Sequence, residues 1–103
     1  PAVLMARFDL HPGDSPDLFL LDIQHDMFDY LDTRVVVPLM PVKGNPPAVK
    51  RLYPIFDIEG RPMLMATPLM SAIRAHQLKK PVANLSSYRD EIVAAVDFLQ
   101  QGF

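Results

Sequence analysis

Eleven prolines punctuate this 103-residue chain, and none follows Pro81. Proline fixes φ and removes a backbone donor, so it breaks helix interiors and is confined in sheets to edges, first positions and bulges. At about twice the average share of ~5%, and scattered with only Pro46 and Pro47 adjacent, it leaves residues 1–81 as short, interrupted β-structure. The proline-free stretch after Pro81 is where a helix fits. There Tyr88, Ile92, Ala95, Val96 and Leu99 recur with helical period on one face. Ser87 and Asp90 are spaced like a capping box, and Asp90 and Glu91 suit the positive end of the helix dipole. Gly102 stands where a helix stops, so the run is expected to end in a free tip, Gln101-Gly102-Phe103, able to reach into a partner.

The remaining pattern predicts strands. Val3–Leu10 precedes the breaker cluster His11–Pro16, and Leu18–Ile23 follows across a hairpin-length connection. The segment from His25 to Thr33 reads as a loop with a helical turn. Arg34–Leu39 is strongly β-branched, with Pro38 expected to end it at an edge or bulge. Lys43–Pro47 is a surface loop. Arg51–Ile58 and Arg61–Thr67 flank Glu59-Gly60 as a tight hairpin. Met70–Ala75 adds a short strand before the Lys79-Lys80-Pro81 bend. Short strands followed by a terminal helix predict a mainly β fold: a small antiparallel barrel or sheet carrying one C-terminal helix. Its exposed strand edges give it reason to dimerise.

At this length one domain spanning 1–103 is expected. Pro1 and Met5 stand equally as native starts, so residues 1–4 are open as an extension. A net charge of −2 lacks the basic excess of nucleic-acid binders. The absence of cysteine excludes disulfides, thiolate zinc sites and a cysteine nucleophile, and fits a cytoplasmic protein. No apolar run approaches the ~18–20 residues of a membrane span, and residues 1–7 do not resemble a signal peptide.

The densest polar patch, Asp22–Asp32, holds four aspartates and His25. Hard-metal sites use such residues, but the EF-hand spacing is missing, and Met27, Phe28 and Leu31 interleave apolar groups. The plainer expectation is a solvated turn whose aspartates cap a short helix. Met27 and Phe28 within it are either core or a contact surface. His11, His25 and His76 lie far apart, and neither a G-x-S-x-G turn nor a glycine-rich phosphate loop is present. No metal, cofactor or catalytic motif is therefore expected. A catalytic alternative without a motif is a barrel ribonuclease that uses Arg34, Thr67, Arg74 and His76.

In order along the chain, Phe19-Leu20-Leu21-Asp22-Ile23-Gln24-His25-Asp26, Thr33–Leu39, Leu52-Tyr53-Pro54-Ile55-Phe56-Asp57-Ile58, Met65–Ala72, Ala83–Ser86 and the Gly102-Phe103 ending resemble the CcdB family of plasmid and chromosomal toxins over nearly the full length. The resemblance implies an SH3-like β-barrel core with an added sheet and a C-terminal helix, assembled as a homodimer. It implies a non-catalytic activity: binding the A subunit of DNA gyrase and trapping its cleaved DNA complex, with neutralisation by a CcdA-like antitoxin. The implied gyrase contacts are Met27, Phe28, Asp97, Gln100, Gln101, Gly102 and Phe103. Well-known members have a tryptophan where this chain has Gln101, an apolar residue at Gln100 and an aliphatic one at Phe103. Phe103 is then the aromatic left to anchor the contact. A ribonuclease toxin, or a family fold that no longer poisons gyrase, are the alternatives.

Overall fold

The computed structural model describes residues 5–103, so Val3 and the question of residues 1–4 lie outside the described residues. Among the described residues there are seven strands: β1 (Asp9–Pro12), β2 (Phe19–Asp22), β3 (Thr33–Pro41), β4 (Ile55–Ile58), β5 (Arg61–Met65), β6 (Ser71–Arg74) and β7 (Ala83–Asn84). One helix, α1 (Arg89–Gln101), follows. The strands form one antiparallel sheet in the order β4-β5-β3-β2-β1-β7, with β6 also paired to β3, and the sheet curls into a half-barrel. This is the mainly β fold with one terminal helix that the pattern predicts.

β3 organises the sheet. Its Val36–Leu39 stretch pairs with β2, while β6 takes Thr33–Val36 and β5 takes Leu39–Pro41 on the opposite edge. Pro38 falls between these two partners. Its carbonyl accepts the Ala66 N–H at 2.9 Å, so its nitrogen, on the same edge, faces the junction where neither strand needs a donor. The strand therefore runs through Pro38 instead of ending there, a correction with a steric reason: the missing N–H lies at a ladder position that can spare it.

Other boundaries also move. β1 starts at Asp9 because Phe8, at φ 72°, turns the chain. An aromatic residue is unusual in that conformation. It is held there by bonds from its N–H to the Asp22 carbonyl (2.7 Å) and from the Leu85 N–H to its own carbonyl (2.8 Å). His11 and Pro12, expected in a loop, extend β1. Arg51–Tyr53, expected in a strand, make a turn in which the Leu52 and Tyr53 N–H groups donate to Val49 and Lys50. Thr67–Leu69 leaves β5 as a 3-10 turn started by Pro68. Glu59-Gly60 is the expected two-residue hairpin, both residues at positive φ as a type I′ turn requires.

The apolar face of the sheet carries Leu10, Leu21, Val37, Leu39, Met63 and Met65. It is closed by Ile92 and Ala95 of α1, all fully or almost fully buried. The expected helix face is thus in part the docking face, although Leu99 at its far end is exposed. The Ser87–Asp90 capping box does not form; Tyr88 is the N-cap and makes no side-chain capping bond. A 3-10 turn, Ser86–Tyr88, leads into the helix, and the Asn84 side chain accepts the Ser86 N–H (2.9 Å). Asn84 also donates to Asp9 and to the Arg7 carbonyl, tying the start of the helix to β1.

Gly13 marks a close approach in the first hairpin. Its N–H donates to the Leu18 carbonyl at 2.7 Å, and a Cβ there would lie 2.7 Å from Leu18 Cγ and 2.9 Å from its carbonyl oxygen. Gly13→Ala is expected to destabilise the fold by roughly 1–3 kcal/mol, read as a lower urea midpoint with an unchanged m-value.

Candidate functional site

Asp22 and Arg34 lie on adjacent strands, and both are buried. Because Asp22 is opposite Val36, Arg34 is its diagonal neighbour on the same face. Arg34 Nε donates to Asp22 Oδ2 at 2.7 Å, and the Gln24 N–H donates to Oδ1 at 3.0 Å. Gln24 extends this network outward. Its Oε1 accepts the Val35 N–H (3.0 Å), and its Nε2 donates to the Phe28 carbonyl (2.8 Å). The backbone beside Phe28 is thereby tied to the buried ion pair through one glutamine side chain.

That tie fixes the 3-10 turn Asp26–Phe28. The N-cap is His25, whose Nδ1 accepts the Met27 N–H at 3.0 Å. The expectation that aspartates cap this turn is therefore corrected: Asp26 instead accepts the Arg7 N–H (2.9 Å), and Asp22 faces inward to Arg34. Among the described residues no three acidic or histidine groups come together as metal ligands. With the backbone held from below, Met27 is 68% exposed and Phe28 44%. Tyr30 and Leu31 beyond them are exposed too. Of the two expectations for Met27 and Phe28, core or surface, the structure gives surface.

The second group of predicted site residues is on the last turns of α1. Asp97, Gln100, Gln101, Gly102 and Phe103 are all exposed, Phe103 at 75%. Gly102 is the expected helix stop: it adopts a left-handed conformation at φ 80°, and its N–H donates to the Phe98 carbonyl at 2.9 Å. Phe103 is thereby turned off the helix axis into solvent. Among the described residues no hydrogen bond joins this tip to the Met27–Phe28 turn; each is presented from its own element.

The ribonuclease set does not assemble. Arg34 is spent on Asp22, Thr67 is fully buried, and only Arg74 and His76 reach solvent. Two contributors escape a reading of spacing alone, Gln24 and Asn84. Their roles depend on carbonyls brought in by tertiary structure, and the only local hint is that Gln24 shares the strand face of Asp22.

Burial pushes the Asp22 carboxyl above its ordinary value of 3.8, and the bonds from Arg34 and Gln24 oppose that rise. A carboxyl with a raised folded pKa contributes stability that is full below its unfolded value and lost as pH rises through the folded one. Removing Arg34 takes away the main opposition and widens that interval upward. Arg34→Met is therefore expected to cost about 3–5 kcal/mol at pH 7. The gap to wild type should narrow as pH falls and Asp22 takes up a proton, which denaturant titrations at pH 7 and in the acid range would show.

No helix among the described residues is long and apolar enough to cross a membrane. A family model described as CcdB protein matches residues 7–102, nearly the whole chain. No curated protein matches the chain.

Proposed function

The chain belongs to the CcdB family of toxins from type II toxin–antitoxin systems, and on that premise we propose that it acts by binding, not catalysis, on the A subunit of DNA gyrase. It traps the cleaved DNA complex and is neutralised by a CcdA-like antitoxin. The observation that carries this reading is the exposure of Phe103, Met27 and Phe28 on elements whose backbones are fixed. Large apolar side chains held in solvent by an ordered backbone are what an interface anchor needs, because little conformational entropy remains to be lost on binding.

The toxin works as a homodimer in the cytoplasm. Two-fold symmetry pairs two helix tips and presents them together to a two-fold symmetric target. Phe103, two positions beyond the usual tryptophan, supplies the aromatic anchor. Asp97, Gln100, Gln101 and Gly102 form the polar and backbone surround, and Met27 and Phe28 add the second apolar contact.

The test is a supercoiled-plasmid cleavage assay with purified gyrase, ATP and this protein. Linear DNA released on denaturing the complex is expected. Deletion of Gly102 and Phe103 should abolish it while leaving the protein folded, with the thermal midpoint lowered by only a few °C (about 2–6 °C) for the lost Gly102 cap. Unchanged cleavage by the truncated chain would remove the tip from the mechanism. Absence of cleavage with the full, folded chain would overturn gyrase poisoning itself.

A further inference from the structure

The helix that carries the tip is gripped at both ends by one short segment. Near its start, the Tyr88 ring packs on Phe56 of β4 with centroids 4.6 Å apart. Near its end, the Arg51 guanidinium lies over the Phe98 ring, 4.6 Å from the centroid. Arg51 and Phe56 are five positions apart, whereas Tyr88 and Phe98 are separated by about 15 Å of helix.

The two grips are not equivalent. Up to Ala95 the helix is held by buried apolar contact through Ile92 and Ala95. Beyond it, Asp97 and Leu99–Phe103 are exposed, and only Val96 and Phe98 are half-buried. Phe98 therefore marks the last turn that touches the body of the protein. Its carbonyl also accepts the Gly102 N–H that turns Phe103 aside. Arg51 is itself exposed, and among the described residues no carboxylate forms a salt bridge with it, so the ring face is its electrostatic partner. Its backbone is set by the turn in which Leu52 and Tyr53 donate to Val49 and Lys50.

We propose that Arg51 is a positioning residue for the tip: its guanidinium clasps Phe98 and fixes the direction in which Leu99–Phe103 project. The inference rests on the reading of the tip as the gyrase contact, but the clasp can be tested without gyrase. Amide exchange by NMR on the intact protein compares wild type with Arg51→Gln, Arg51→Lys, Phe98→Leu and the Arg51→Gln/Phe98→Leu double variant. In Arg51→Gln, protection at Leu99–Gly102 should fall ~2–5-fold, as loss of an exposed cation–π pair allows, while Ile92–Ala95 stay as in wild type. Arg51→Lys, still cationic, should keep most of the protection. In the Phe98→Leu background the Arg51→Gln change should add nothing, as coupling between the two requires.

Unaltered protection at Leu99–Gly102 in Arg51→Gln would overturn the proposal. So would a loss spread evenly along the helix, or an undiminished effect without the Phe98 ring. Affinity for isolated gyrase A subunit is the second readout, expected to weaken ~2–5-fold in Arg51→Gln and recover in Arg51→Lys. If the exchange pattern holds but wild type does not bind gyrase A, the clasp stands and the target assignment fails. If wild type binds and Arg51→Gln binds equally well, the positioning role fails.

Discussion

A carboxylate and a guanidinium are closed inside a β-sheet between Asp22 and Arg34, and the rest of the molecule is arranged to make that burial tolerable. A buried ion pair is a weak source of net stability, since desolvation consumes most of the attraction. Its force is geometric. Sliding β2 along β3 by one residue would turn Asp22 away from Arg34 toward the face occupied by Val37 and Leu39, leaving both charges buried without a partner. The pair thus sets the register of the two central strands. Through Gln24 it also sets the position of the turn that carries Met27 and Phe28. One constraint in the interior therefore decides both how the sheet is aligned and where an exposed apolar pair points.

The second organising fact is that β3 serves two strands on one edge. Pro38 occupies the gap between them, so β5 and β6 part company around a position without a donor and the sheet curls. Curvature leaves one concave apolar face, and α1 fits it with Ile92 and Ala95. The helix is consequently wedged by packing over its first half and leaves the body progressively over its second. A protruding end that stays ordered is a natural outcome of laying a straight helix on a sheet too short to cover it.

Much of this is visible in the sequence where local chemistry dictates structure. Glu59-Gly60 between two strand runs, Gly102 after a periodic helix and the separation of a proline-rich part from a proline-free one all act over a few residues. Boundaries are lost where tertiary contacts override such signals. Pro12 and Pro38 look like strand breakers, yet both sit at ladder positions that do not need their missing donor. Arg51-Leu52-Tyr53 carries strand-like residues but turns. Ser87 and Asp90 have the spacing of a capping box, but a 3-10 turn through Ser86–Tyr88 displaces the helix start past Ser87. Of the site, the exposed apolar residues stand out because Met27 and Phe28 interrupt a run of aspartates. The groups that hold them in place do not, because Gln24 and His25 act through backbone atoms that come close only after folding.

The pairing of β7 with β1 brings together Asp9 and Asn84, 75 positions apart, and the helix begins directly after that junction. The chain thus closes its first strand onto its last immediately before the segment that bears the tip. Long closures of this kind are slow steps, since loop entropy is lost before the contacts that offset it are made. During synthesis α1 emerges after both strands of that junction, and it has no surface to lie on until they have met. The projecting end of α1 is thus presented in its fixed direction only by molecules whose sheet has closed, so folding of the whole sheet precedes any contact made through it.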